Sequence, residues 1–171
     1  MTLLLIRHGE TQWNIELSYQ GRFDSPLTTR GIAQAEAAAR RLAALPEIAA
    51  AQVVASPLGR ARRTAEIVVA PLSDKAIRLD HRLREHSLGS WDGLSHDEIM
   101  SRACQIFAGR VADCLSETTE AQVLVVVTHG MVSRILRSLY AGLPRADALS
   151  LPVPQDKLFR LSGGGIEEIP F

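Results

Sequence analysis

The sequence predicts an α/β fold. A single domain over residues 1–171 is expected, three layers thick, with a mostly parallel central sheet and helices on both faces. Three observations carry this. Residues 2–7 and 122–128 are unbroken apolar runs rich in Leu and Val, as in strands buried on both faces. Segments with apolar residues at helical spacing fall between the strand candidates, and such alternation brings parallel strands together through helical crossovers. No domain linker, low-complexity tract or solenoid period divides the chain.

The elements follow in order. The first strand lies in "LLLIRHGETQWN", residues 3–14, and ends in Arg7, His8 and Gly9. Residues 29–44 carry Ile32, Ala35, Ala39 and Leu42 at helical spacing, with Thr28 or Thr29 as N-cap. "AQVVAS", 51–56, is a short third strand. In "SPLGRARRTAEIVVA", Ser56 suits an N-cap and Pro57 the first helical position. "AIRLD", 76–80, alternates as an edge or flanking strand does. "SHDE", 95–98, is a capping box that opens a helical stretch reaching about residue 116. The run at 122–128 ends in His129 and Gly130. Val132, Ile135, Leu136, Leu139 and Tyr140 then form one apolar helix face, which Gly142 and Pro144 terminate. "KLFRL", 157–161, and "IEEIPF", 166–171, read as a late strand and tail around the turn "SGGG".

Composition narrows the function classes. Lys+Arg and Asp+Glu both total 19, so the net charge is zero. A partner held by bulk electrostatics, such as duplex nucleic acid or an anionic membrane, is not expected. No apolar run approaches the length of a membrane span. Only Lys75 and Lys157 are lysines; the other basic residues are arginines, which suit bidentate phosphate binding. "LLLI" is too short for the apolar core of a secretory leader and has no basic residues before it. Cys104 and Cys114 fall in one predicted helix, about 15 Å apart along its axis. That is too far for a disulfide. A cytoplasmic protein with reduced thiols is expected. The sequence assigns no oligomeric state.

Ligands of open α/β sheets bind beyond the carboxyl ends of the strands. Two central strands that each end in His-Gly would bring His8 and His129 there together. Glycine lets the backbone approach a ligand closely. A helix beginning after Gly130 offers N–H groups to an anion. Arg60 lies in the first turn of its helix, where a cation opposes the helix dipole and a bound anion would reverse the penalty. Arg62 and Arg63 read as a solvated basic face. Lone histidines are usually structural or surface groups, and His81, His86 and His96 keep that reading. Glu85, in "RLREHSLGSWDGL", is not assigned a role by spacing alone.

These blocks resemble the histidine phosphatase superfamily, the phosphoglycerate mutase-like branch. "RHGETQWN", "YQGRFDSPLTTRGIAQA", "SPLGRARRTA", "LREHSLGSWDG" and "VVVTHGMVSRIL" match its motifs in order along most of the chain. The resemblance implies a phosphoglycerate mutase-like fold and phosphoryl transfer without a metal or organic cofactor. It implies His8 as the nucleophile that becomes phosphorylated. Arg7, Arg60 and His129 would surround the phosphoryl oxygens, and Glu85 would protonate the leaving group. Asn14 and Gln20 would supply secondary polar contacts, with Gly21 and Gly130 allowing close approach. The residue types suit this chemistry. Imidazole can be neutral near pH 7, with one nitrogen nucleophilic and the other donating to a backbone carbonyl. Arginine forks stabilise the charge spread over the phosphoryl oxygens. Glu85 needs a raised pKa to act as an acid, for which a nearby phosphate dianion suffices.

The chain departs from many relatives between Gly93 and His129, where the insert is shortened and no Gly-Glu-Ser stretch occurs. Met131 stands where many relatives have a second glycine. A more open mouth is expected, which favours hydrolysis of a small phosphorylated metabolite over mutase chemistry. The other readings are a phosphoglycerate mutase-type isomerase, a phosphohistidine-protein phosphatase, and a catalytically weak phosphate-binding or regulatory module.

Overall fold

The computed structural model describes residues 1–16, 20–72, 75–86, 109–113, 116 and 122–171. The strands are β1 (Thr2–Arg7), β2 (Gln52–Ala55), β3 (Ile77–Leu79), β4 (Val123–Thr128), β5 (Lys157–Ser162) and β6 (Gly165–Pro170). The helices are α1 (Gln12–Ile15), α2 (Thr29–Ala43), α3 (Gly59–Val69), α4 (Gly130–Ala141) and α5 (Arg145–Ser150). Residues 109–113 are also helical, as expected for that stretch. The capping box at 95–98, both cysteines and most of the segment between Gly93 and His129 lie outside the described residues.

The strands form one six-stranded mixed sheet in the order β3-β2-β4-β1-β5-β6. β1, β2, β3 and β4 run parallel. β5 returns antiparallel beside β1, and β6 pairs antiparallel with β5. Gly163 and Gly164 join that hairpin at φ 56° and 80°, the left-handed conformation a tight two-residue turn demands. β3 takes the edge, as its alternating sequence predicts.

Both faces of the sheet are covered, which explains the unbroken apolar runs. Leu3, Leu5, Leu124 and Val126 pack with Val132, Ile135 and Leu136 of α4. Leu4, Ile6, Val125 and Val127 pack on the other face with Leu42 of α2 and Ala61, Ala65 and Val68 of α3. Leu3 to Ile6 are each 1% exposed or less. Burial of each such side chain contributes roughly 1.5–3 kcal/mol before conformational entropy is counted.

Four local expectations are corrected. α3 begins at Gly59, not at Pro57, and Leu58 is an N-cap without a side-chain bond. The Ser56 hydroxyl is engaged elsewhere, as described below. Ile32 is 38% exposed. The buried stripe of α2 starts instead at Gly31 and runs through Ala35, Ala38, Ala39 and Leu42, because Gly31 is the residue pressed against the loop after β1. Leu139 of α4 is 41% exposed, outside the buried face. Gly142 does end α4, at φ 62°, but the chain then forms α5 with Pro144 as its N-cap.

Candidate active site

Strand register sets the centre of the site. Arg7 pairs with Thr128, so the next residues, His8 and His129, stand side by side at the carboxyl edge. Their ring centroids are 5.3 Å apart, tilted by 60°. Both are buried, at 3% and 0% exposure.

The His8 ring is held at both nitrogens. Nδ1 lies 2.8 Å from the Gly9 carbonyl oxygen, so Nδ1 carries the hydrogen and donates. Nε2 then accepts from Nε–H of Arg60 at 3.2 Å. Burial pushes the His8 pKa well below its ordinary value, and the charges of Arg7 and Arg60 push it further. The ring is therefore neutral near pH 7, with its lone pair on Nε2.

Arg60 is 2% exposed. Its Nη1 donates to the Phe23 carbonyl at 2.7 Å and its Nη2 to the Gly21 carbonyl at 2.9 Å. Gly21 sits at φ 50°, so its glycine freedom turns a carbonyl onto Arg60. The anion expected at the N-terminus of α3 is supplied by the chain itself. Asp24 Oδ1 accepts from the Arg60 backbone N–H at 3.0 Å and from Arg60 Nη1 at 3.4 Å. A carboxylate there offsets the dipole penalty on Arg60.

Arg7 donates through Nη1 to the Val153 carbonyl. Among the described residues, its Nε is buried with no hydrogen-bond partner, and so is His129 Nδ1. Buried unpaired donors are costly, and these two flank His8. Ser56 Oγ lies 2.7 Å from His129 Nε2 and accepts from the Leu58 N–H at 3.3 Å. Its hydroxyl hydrogen can then go to Nε2, which leaves Nδ1–H of His129 as the outward donor. Burial, followed by His8 and the charges of Arg60, Arg7 and Arg110, pushes the His129 pKa well below its ordinary value.

Glu85 reaches the site from the loop after a 3₁₀ turn at His81–Leu83. Thr128 Oγ1 anchors that turn by donating to the Leu83 carbonyl at 3.0 Å. Glu85 Oε1 accepts from the His86 N–H at 3.1 Å and Oε2 from the Met131 N–H, in the first turn of α4, at 3.3 Å. Burial raises the Glu85 pKa above its ordinary value, against those two N–H bonds and the charges of Arg60 and Arg7. The raised pKa expected from a phosphate dianion is thus already supplied by desolvation. Met131, at the position the sequence marked as unusual, is buried in the core at 7% exposure.

Asn14 and Gln20 are placed differently. Asn14 Oδ1 closes a capping box on α1, accepting from the Thr11 N–H and Oγ1–H, both at 3.1 Å. Its Nδ2 is the atom that remains for an anion. Gln20 Nε2 donates to Thr11 Oγ1 at 2.7 Å. Gly9 is not where a ligand approaches the backbone: a Cβ there would lie 2.2 Å from the Gly31 carbonyl oxygen. At Gly130 a Cβ would lie 3.5 Å from a Val153 methyl carbon and 3.6 Å from Arg7 Nε, both ordinary contacts. Sequence reasoning missed the contributions of Ser56, Asp24, Thr64 and Gln155. Only Thr64 carried a usable signal, four residues after Arg60 on the same helix face.

The arrangement is a neutral imidazole with its lone pair on Nε2, arginine and histidine donors beside it, and a carboxyl whose pKa burial raises. Among the described residues no cluster of His, Cys, Asp or Glu has the form of a metal centre, and no helix is long and apolar enough to cross a membrane. A protein named probable phosphoglycerate mutase GpmB, from Escherichia fergusonii, is 35% identical over 84% of this chain and 76% of its own length. The α-ribazole phosphatase from Shigella flexneri superposes over 100% of this chain and 96% of its own, at 26% identity and TM-score 0.79. A mycobacterial glucosyl-3-phosphoglycerate phosphatase, solved with VO3, superposes over 99% of this chain and 96% of its own, at 28% identity and TM-score 0.76. The family profile of histidine phosphatase superfamily branch 1 matches residues 3–108. With that match and the two histidines paired at the sheet's carboxyl edge, the chain belongs to the histidine phosphatase superfamily.

Proposed function

We propose that the protein is a phosphomonoesterase that hydrolyses a small phosphorylated metabolite through a phosphohistidine on His8. The observation that carries this is the neutral His8 ring, with Nδ1 bound to the Gly9 carbonyl and Nε2 facing the Arg60 guanidinium. In the first step the Nε2 lone pair attacks phosphorus and the bond to the ester oxygen breaks. The Arg60 Nε–H bond to Nε2 is exchanged for one to a phosphoryl oxygen, and Glu85 gives its proton to the departing alkoxide. Arg7 Nε–H and His129 Nδ1–H stabilise the charge on the phosphoryl oxygens. In the second step water attacks phosphorus and its proton goes to the Glu85 carboxylate. The P–N bond breaks, its electron pair returns to Nε2, and inorganic phosphate leaves. No metal or organic cofactor enters these steps.

Hydrolysis is preferred to mutase chemistry for two reasons. The segment between Gly93 and His129 lacks the stretch expected to close over a bisphosphate. Two solved relatives that match nearly the whole chain, the Shigella flexneri and mycobacterial proteins above, are named as phosphatases. The substrate is a small organic phosphate, with sugar phosphates, phosphoglycerates and ribazole phosphate the first to test. Cysteine usage supports a cytoplasmic enzyme. A phosphate-release screen against a metabolite panel, with His8→Ala as blank, tests the proposal. Turnover of at least one such ester that disappears in His8→Ala supports it. Interconversion of 3- and 2-phosphoglycerate well above the rate of phosphate release would establish the isomerase instead.

A further inference from the structure

The peptide unit between His8 and Gly9 is held at both ends by side chains from distant parts of the chain. Gln155 Nε2 donates to the His8 carbonyl at 3.0 Å. Thr64 Oγ1 accepts from the Gly9 N–H at 3.1 Å. Thr64 is itself oriented, because its hydroxyl donates to the Arg60 carbonyl at 2.8 Å. A peptide unit is planar, so a bond to its C=O and another to its N–H fix the plane. Gly9 follows that plane directly, and its carbonyl is the group that receives Nδ1–H of His8. Glycine is conformationally soft. The Gly9 carbonyl belongs to the next peptide unit, whose Glu10 N–H donates to Gln34 Oε1 at 2.8 Å; without the two bonds on the His8–Gly9 unit, the His8 ring and that carbonyl could turn relative to each other.

The segment that carries Gln155 is anchored for this purpose. Carbonyls of three successive residues, Leu151, Pro152 and Val153, accept from Arg134, Arg137 and Arg7 respectively. The guanidinium of Arg137 also lies 4.0 Å over the Phe159 ring of β5.

We propose that Gln155 and Thr64 are positioning residues for the nucleophile: they clamp the His8–Gly9 peptide and so hold the His8 ring with Nδ1 protonated and the attacking lone pair on Nε2. The proposal rests on the phosphohistidine reading above. Gln155 also donates to Asn14 Oδ1 at 3.3 Å, whereas no bond links Thr64 to Asn14 among the described residues, so the pair separates an effect on His8 from one on Asn14.

The test uses the full chain with Gln155→Leu, Thr64→Val, the double variant, and Thr64→Ser as the conservative replacement. Turnover of p-nitrophenyl phosphate gives kcat and KM, and long-range ¹H–¹⁵N spectra of histidine-labelled protein report the His8 tautomer. Gln155→Leu and Thr64→Val should each lower kcat about tenfold, with KM within about twofold, because the reacting atom is misaimed rather than substrate lost. The double variant should lose less than the product of the two, since both act on one peptide. Thr64→Ser should retain most of kcat. His8 should shift from a pure Nδ1–H spectrum to mixed tautomers in both single variants. Gln155 is partly exposed, so Gln155→Leu remains informative if Thr64→Val fails to fold. Unchanged kcat in the single variants, or a lower kcat with His8 still wholly Nδ1–H, overturns the proposal. His8→Ala run alongside separates the two readings: turnover surviving in it defeats the phosphohistidine mechanism, whereas its loss beside unaffected Gln155 and Thr64 variants defeats only the clamp.

Discussion

Replacing Gly31 by alanine separates this structure from a purely local view of helix α2. Gly31 lies in the first turn of α2, in a mid-sequence position where alanine is the better helix former by roughly 1 kcal/mol. Local propensity therefore predicts a more stable protein with unchanged activity. The structure predicts the opposite. A Cβ on Gly31 would stand 2.0 Å from the Glu10 carbonyl oxygen and 2.8 Å from the Glu10 nitrogen. Both atoms are backbone, so no rotamer change relieves the overlap. A carbon–oxygen contact needs about 3.3 Å, so the loop and the helix must separate by about 1.3 Å. That loop is tied to α2 by the Thr28 N–H bond to the Glu10 carbonyl at 2.9 Å, and it begins at His8. Overpacking of this kind costs about 1–3 kcal/mol. A displacement of about 1 Å at His8, the nucleophile of the proposed mechanism, costs on the order of 10²-fold in rate. Urea unfolding and kcat on p-nitrophenyl phosphate measure the two effects. A Gly31→Ala protein more stable than wild type, with wild-type kcat, would refute the packing argument and with it the placement of the loop that carries His8.

Three further predictions follow from the site. Activity should fall on the alkaline side as Glu85 ionises, at a pH above the usual carboxylate range because burial raises its pKa. Glu85→Gln should lower kcat roughly 10²–10⁴-fold and abolish that alkaline limb; a limb unchanged in the variant would assign it to another group. Ser56→Ala should cost roughly 1–3 kcal/mol by leaving His129 Nε2 buried without a partner. It should also lower kcat, so chemical denaturation and steady-state kinetics together check it, and a variant matching wild type in both would dismiss the Ser56 bond. Stability should decline in acid for reasons that can be assigned. His86 is pushed down to about 4 by burial and the charges of Arg110 and Arg22, and His8 and His129 are depressed as well. The folded state thus favours neutral rings, while the unfolded chain binds protons near its ordinary pKa of about 6.5. The histidines' contribution to stability is full above about 6.5 and is lost as pH falls toward the folded values. Asp80, whose carboxyl is held far below its usual range chiefly by Arg82, adds a loss at still lower pH. Urea midpoints across that range check this, and a midpoint constant from pH 7 to pH 4 would contradict it.

What the sequence revealed was what neighbours along the chain determine. Unbroken apolar runs mark strands covered on both faces, and two such runs ending in His-Gly set His8 against His129 by register alone. The cation of Arg60 at a helix N-terminus was legible as a problem. Its solution, Asp24, comes from a loop whose position depends on tertiary closure. Ser56 looked like a cap because capping is read from local spacing, whereas its real partner is His129, seventy-three residues on. Gly9 looked like a ligand-facing glycine because the residue packed against it, Gly31, belongs to another element. Glu85 could be assigned only through family resemblance, since nothing about a lone carboxylate in a loop reveals that folding will bury it.

The central claim is that His8 is transiently phosphorylated, and trapping that state tests it most directly. Wild-type protein mixed with a turned-over phosphate ester and quenched in alkali should carry an acid-labile phosphoryl group, mapped by mass spectrometry to the peptide containing His8. With p-nitrophenyl phosphate, whose leaving group needs no proton from Glu85, Glu85→Gln should accumulate more of it, because only hydrolysis of the intermediate is slowed, and His8→Ala should carry none and release no phosphate. Full turnover by His8→Ala, or a phosphoryl group mapped to another residue, would contradict the account.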